Sequence, residues 1–234
     1  MNNKIINDLN NDFKDKNPLE IIKYLSDVYK GKLAFASSFG VEDQVITEMI
    51  AASGGKIKIF SLDTGRLFQE TYDLIQITRA KYNLNIDLFF PDPKDVESMV
   101  NSKGINLFYE SIENRKLCCH VRKVKPLKRA LKGLDMWITG LRRDQSDLRQ
   151  NLKIVEWDEK NGLIKVSPLF SWTEKKVWDY IKEKHVPYNK LHDKSFPSIG
   201  CLPCTRAVAP GDDVRSGRWW WENPMFTECG LHKS

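Results

Sequence analysis

No stretch of this chain stays apolar for the roughly 18–20 residues that a bilayer-spanning helix needs. Its opening, Met1-Asn2-Asn3-Lys4, has nothing of a signal peptide's apolar core. No internal repeat and no low-complexity segment interrupts the sequence. Charge is nearly balanced, with a net +6 over 234 residues. That surplus suits an anionic small ligand as readily as nucleic acid. Cysteine is sparse, at five residues, and the odd number leaves one over under any pairing scheme. These absences point to a protein of the cytoplasm. In that reducing compartment the cysteines read as ligands or catalysts rather than disulfides.

What is present is an alternation. Residues 33–38 (LAFASS), 57–63 (IKIFSLD), 86–91 (IDLFFP) and 136–140 (MWITG) read as strands. Helical patterns occupy residues 17–29, 41–53, 68–83, 93–102 and 173–185, and a helix crossed by Pro126 is expected over 119–131. Residues 154–166 read as a hairpin turning near Asn161-Gly162. Alternating strands and helices predict an α/β fold with a mainly parallel sheet and helices on both faces. Beyond residue 186 the pattern fails. The expected organisation is one α/β nucleotide-binding domain over 1–204 and a mobile tail over 205–234.

In an open parallel sheet the ligand sits at the carboxyl ends of the strands. Three suggestive segments fall there: Ser37-Ser38-Phe39-Gly40-Val41-Glu42-Asp43, Asp63-Thr64-Gly65-Arg66, and Thr139-Gly140-Leu141-Arg142-Arg143-Asp144-Gln145-Ser146. Each offers small, hydroxyl-bearing or basic residues where loop N–H groups and a helix start can meet an anion. Any βα loop uses Gly and Ser for its turn, so one such segment means little. Three at successive strand ends favour a nucleotide-like anion site.

Four cysteines make two pairs: Cys118-Cys119, then, after 81 residues, Cys201-Leu202-Pro203-Cys204. A CxxC loop places two thiolates on one metal centre. Adjacent cysteines on a helix point about 100° apart, so the first pair is less usual. All-cysteine ligation is compatible with zinc or with an iron–sulfur cluster, and spacing does not choose. A buried core pair at 118–119 and a redox pair at 201–204 are the plainer readings. Lys123 stands four residues after Cys119 and returns to the same helical face.

Cys229 stands apart, in Thr227-Glu228-Cys229-Gly230-Leu231-His232. His232 is placed to lower its thiol pKa or to meet an anionic substrate. Upstream, Arg215-Ser216-Gly217-Arg218-Trp219-Trp220-Trp221-Glu222 joins two cations to flat aromatic surface. Those tryptophans also suit a purely structural part, pinning the tail to the body.

With these motifs the chain resembles the phosphoadenylyl-sulfate/adenylyl-sulfate reductase family, and within it the assimilatory adenylyl-sulfate (APS) reductases. The match runs from about Leu33 to the end. It rests on Cys-Cys-His-Val-Arg-Lys, Gly-Cys-Leu-Pro-Cys-Thr, Arg-Ser-Gly-Arg-Trp-Trp-Trp-Glu and Glu-Cys-Gly-Leu-His, with Leu-Asp-Thr-Gly-Arg and Thr-Gly-Leu-Arg-Arg-Asp-Gln-Ser in support. Phe39 departs from it, where a smaller residue is expected.

The resemblance implies an adenine-nucleotide α-hydrolase-like fold and a [4Fe–4S] cluster on Cys118, Cys119, Cys201 and Cys204. It implies reduction of APS to sulfite and AMP in sulfate assimilation and cysteine biosynthesis, with thioredoxin as electron donor and an S-sulfocysteine intermediate. Cys229 is the expected nucleophile, with Lys123 and His232 beside it in catalysis. Ser37, Ser38, Gly65, Arg66, Arg142, Arg143, Arg215 and Arg218 are the expected substrate contacts. No nucleic-acid or membrane partner is expected, and self-association is left open. Reduction of the 3′-phosphorylated substrate (PAPS), or of both, is the alternative within enzymes. A zinc-binding nucleic-acid module is the alternative outside them. A pyrophosphatase-type ligase on the same fold would need a Ser-Gly-Gly-x-Asp-Ser loop, which Ser38-Phe39-Gly40 does not supply.

Overall fold

The computed structural model describes residues 2–145 and 149–222. The chain divides into two units, each drawn from three stretches. The first takes Met1–Ser61, Asp73–Asp87 and Gly133–Asn189; the second takes Leu62–Tyr72, Leu88–Lys132 and the described part of Lys190–Ser234. Among the described residues no helix is long and apolar enough to cross a membrane.

The apolar runs of the first unit form a sheet. Its strands are β1 (Leu33–Ala36), β2 (Lys58–Leu62), β3 (Ile86–Phe89), β4 (Met136–Ile138), β5 (Val155–Asp158) and β6 (Leu163–Val166), in the order β3-β2-β1-β4-β6-β5. β1 runs parallel to β2 and to β4, and β4 parallel to β6. β5 and β6 are the expected hairpin, antiparallel, with Gly162 at the turn in the left-handed conformation that glycine adopts without a steric penalty. The order places β1 between β2 and β4. That makes the carboxyl ends of β1 and β4 the switch point at which an open α/β sheet leaves a crevice.

Helix starts follow local chemistry. Asn17 accepts from the Glu20 N–H while Glu20 receives the Asn17 N–H, a capping box that opens α2 (Pro18–Val28). Thr173 caps α8 (Glu174–Glu183) in the same sense. Gly40 precedes α3 (Val41–Ser53), and Gly54 ends it in the left-handed conformation. α4 (Gln69–Tyr82) links β2 to β3.

Two helices have no counterpart in the sequence reading, α1 (Asn2–Phe13) and the later α6 (Ile112–Cys119). Helix α1 buries Leu9 and Phe13 one turn apart. Its Asn10 amide donates to Val155 O at 2.9 Å and accepts from Val155 N–H at 3.2 Å. A side-chain amide thus satisfies the open backbone of the edge strand β5, as a further strand would.

The second unit has α5 (Pro93–Lys103), α6 (Ile112–Cys119) and α7 (Lys125–Leu131) around an apolar cluster of Met99, Leu107, Phe108, Val121 and Trp219, into which Cys118 and Cys204 pack. The helix expected over 119–131 is present, begins earlier as α6, and widens at one turn. His120–Val124 is one wide π turn, in which Lys125 N–H bonds His120 O five residues back. Pro126 has no N–H to give, and its ring crowds the carbonyl one turn earlier. The wide turn gives that carbonyl room, and such turns recur where a helix carries function. Packing continues past Cys204 as far as Glu222. Trp219 is 1% exposed, and Thr205 pairs with Arg218. The remainder of the expected tail, from residue 223, lies outside the described residues.

Candidate active site

In the first unit the loops after β1 and β4 are tied together by carboxylates from the first turn of α3. Asp43 accepts from both the N–H and the hydroxyl of Ser38, each at 2.6 Å, and its carboxylate also takes a hydrogen bond from the Gly140 backbone. A methyl group at Gly140 would run into that carboxylate, so only glycine lets the second loop approach. Burial pushes Asp43 up to about 6; the bonds from Ser38 and Gly140 oppose the rise, and neighbouring Glu42 adds to it. Glu42 in turn receives Arg142 through Nε at 2.9 Å and Nη2 at 2.8 Å.

Ser37 donates its N–H to Phe60 O at 2.8 Å and accepts the Phe39 N–H on its hydroxyl at 3.2 Å. Phe39 stands at φ 61, a conformation costly for a bulky residue. Its ring is buried, which accounts for a phenylalanine where a small residue is expected. Arg142 is buried and engaged by Glu42, Asp144 and Trp172 O. Arg143 is exposed, donates Nε to Leu152 O, and lies over Phe170. The structure therefore uses Arg142, expected to contact substrate, to hold the loop. Ser146 lies outside the described residues.

The second unit gathers the four thiols. Cys118 and Cys119 end α6 just before the wide turn, and Cys201-Leu202-Pro203-Cys204 forms a tight loop with Cys204 N–H on Cys201 O. Burial pushes the Cys118 thiol up, Arg122 opposes it, and Cys201 adds to the rise. Cys204 is pushed up to about 12, first by burial and then by Cys201 and Cys119, with Lys123 and Arg218 opposing. These mutual influences place all four sulfurs in one neighbourhood. Among the described residues, no three His, Cys, Asp or Glu side chains stand close enough to hold a single metal ion.

The Asp63-Thr64-Gly65-Arg66 segment, read from the sequence as an anion loop, forms a wall of this centre. The Thr64 hydroxyl lies 3.3 Å from Cys201 Sγ, and Thr64 O accepts from Arg122 Nη1 at 2.7 Å. Arg66 O receives the Leu202 N–H, while its guanidinium bonds Ile105 O and lies over Phe108. Gly65, at φ 69, makes the turn, with its N–H on Asp63. Arg218 is buried; it donates to Cys204 O and Ser198 Oγ and lies over Trp219. Arg215 is half-buried, its N–H on Asp213. Cys229 and His232 lie outside the described residues.

The donors fit an iron–sulfur cluster. Among the described residues, four cysteines lie in one neighbourhood, and Arg122, Lys123 and Arg218 flank them. Arg122 Nε is buried with no hydrogen-bond partner. A bare N–H beside thiols is costly unless an acceptor takes it. Thr64 and Arg122 were not singled out as site residues from the sequence. The only signals were Thr64 within Asp-Thr-Gly-Arg and Arg122 within Cys-Cys-His-Val-Arg-Lys.

Residues 32–207 match the family model of the phosphoadenosine phosphosulfate reductase domain. The chain belongs to that family. Like other members it has close kin: it is 49% identical over 214 residues to adenosine 5′-phosphosulfate reductase of Allochromatium vinosum, covering 91% of this chain and 84% of that one. Among solved structures it is similar to phosphoadenylyl-sulfate (PAPS) reductase of Candida auris in its phosphate complex. That likeness has a TM-score of 0.74 and 30% identity, over 87% of this chain and 96% of the other. FMN adenylyltransferase of Candida glabrata, with FMN and an ATP analogue, is similar at a TM-score of 0.56 and 14% identity, over 96% and 85% of the two chains. At that identity the likeness shows the fold alone. The expected adenine-nucleotide α-hydrolase-like fold is borne out, as is the resemblance to the reductase family. The chain is an oxidoreductase of sulfate reduction.

Proposed function

We propose that this reductase acts on adenosine 5′-phosphosulfate, releasing AMP and sulfite, with electrons from thioredoxin and a [4Fe–4S] cluster on Cys118, Cys119, Cys201 and Cys204. The observation that carries this reading is the neighbourhood of four thiols beside the unpartnered Nε of Arg122. A four-iron cluster interposes its own atoms between its thiolates. It therefore takes ligands spaced more widely than a single zinc ion, with Zn–S bonds of about 2.3 Å, can gather. The naming of the Allochromatium relative supports the substrate. When bound, the cluster supplies a fixed charge that takes up the Arg122 N–H and orders the loops its ligands stand on.

The chemistry rests on the chain's own residues. The Cys229 thiolate attacks the sulfuryl sulfur; the S–O bond to AMP breaks, and an S-sulfocysteine forms. One thiolate of reduced thioredoxin attacks Cys229 Sγ and expels sulfite with the electron pair of the broken S–S bond. The second thioredoxin thiol then displaces Cys229 and leaves thioredoxin as its disulfide. Negative charge grows on AMP and on sulfite, and Lys123, Arg143, Arg215 and His232 offset it. The Ser37 hydroxyl and the loop that follows Gly140 meet the nucleotide. Arg142 and Arg218 serve it by holding loops.

The test is single turnover with APS in the absence of thioredoxin, followed by mass spectrometry. The peptide containing Cys229 should gain one SO3 group, and reduced thioredoxin should remove it as sulfite. Turnover retained in Cys229→Ser overturns the reading, as does activity on APS in protein without iron. Equal or greater efficiency with PAPS would replace the proposed substrate.

A further inference from the structure

Glu222 is held by a buried ion pair. Glu222 accepts two hydrogen bonds from Arg115, from Nε at 2.9 Å and Nη2 at 2.7 Å, and both side chains are 2% exposed. Arg115 also lies 4.6 Å from the Trp219 ring centre, and the Glu222 N–H closes a turn on Trp219 O. Arg115 belongs to α6 and stands three and four residues before Cys118 and Cys119, on the helix face they share. Nothing in the proposed chemistry uses this pair.

A buried ion pair is no more stabilising than apolar side chains of the same volume. What it adds is direction. Two parallel N–H···O bonds fix the plane of the carboxylate, and with it the backbone at Glu222. Cys229 lies seven residues beyond Glu222, so this anchor limits its reach to about 24 Å.

We infer that Arg115 and Glu222 are a positioning pair: the helix that carries Cys118 and Cys119 also fixes the backbone at Glu222, seven residues before Cys229. The inference rests on Cys229 being the sulfur acceptor. It ties the cysteine centre to catalysis through packing, with no electron passing between them.

The experiment compares purified holoenzyme with Glu222→Gln, which keeps the volume, and Glu222→Asp, which keeps the charge but is one carbon shorter. Both should retain iron, sulfide and AMP binding. S-sulfonation of Cys229 in single turnover should slow by roughly tenfold or more in each, with kcat falling and KM held. Backbone amides of residues 218–222 should exchange with deuterium roughly tenfold faster. Normal S-sulfonation in Glu222→Gln overturns the inference. So does a fall in activity matched by loss of iron, or full activity in Glu222→Asp, which would make the pair a mere neutraliser of charge. A wild-type enzyme that never sulfonates Cys229 would show as a failed control and sink the functional reading instead, while the exchange measurement would still decide whether the pair anchors residues 218–222.

Discussion

The two units use charge in opposite ways. In the first, each buried charge or carboxylate meets a partner close in the fold: Asp43 takes Ser38, and Glu42 takes Arg142. The sheet beneath needs no ligand to explain it. In the second, thiols pushed toward their protonated forms by burial stand among Arg122, Lys123 and Arg218, and an arginine N–H has no acceptor. Regular strands are few there, and arginine–aromatic contacts and one buried ion pair take their place. The buried charges Asp43 and Arg142 of the first unit are matched within the polypeptide; in the second, the Nε of Arg122 is not. A buried cation pays a desolvation penalty that only a matching anion offsets.

The contrast can be broken most sharply at the cysteines. Cys204→Ser should abolish visible absorbance and cut turnover by at least about 100-fold. Hydrogen exchange should accelerate in α6 and α7 while β1 and β4 keep their protection. Strands that lost protection as fast as the helices would show that the units are not separable in stability.

The next effect is a pH dependence confined to the first unit. The folded-state value of Asp43 is about 6, above its ordinary 3.8. The folded chain therefore binds the extra proton, and the stability this group contributes is full below about pH 4 and lost as pH rises through about 6. The loss is on the order of 3 kcal/mol. Urea midpoints at pH 4.5 and pH 7, approximately, should diverge less in Asp43→Asn than in wild type, by that order. Equal divergence in the two proteins would remove Asp43 as the cause.

The smallest effect is at the sheet edge. Asn10→Ala forfeits two hydrogen bonds to Val155 and should cost about 1–2 kcal/mol. Iron content should be untouched. A denaturation midpoint unchanged from wild type would mean that solvent serves β5 as well as Asn10 does.

The same division governs what could be read from the sequence. The apolar strand runs, the helical stretches 17–29 and 173–185 and the Asn161-Gly162 hairpin are local patterns, and each is present in the fold. Helix α1 escaped because its polar run Asn2-Asn3-Lys4 hides a Leu9–Phe13 face, and because its purpose is a contact 145 residues away. The cysteine pairs were legible as motifs, but their surroundings were not. Thr64 meets Cys201 across 137 residues and Arg115 meets Glu222 across 107, and no periodicity announces such pairs. Arg142 and Arg218 looked like substrate cations because basic residues in loops do. Their burial, which assigns them to loop-holding, exists only once the chain is folded.

The wide turn at His120–Val124 has a consequence for length rather than for composition. A turn that closes on the fifth residue instead of the fourth holds one residue more than a regular helix would. Deleting one residue there would let α6 and α7 run on as a single regular helix, but would press the Pro126 ring against the carbonyl one turn earlier. The tandem pair thus tolerates exchange of its neighbours more readily than a change in their number, and relatives that differ in length should keep their insertions and gaps out of this stretch.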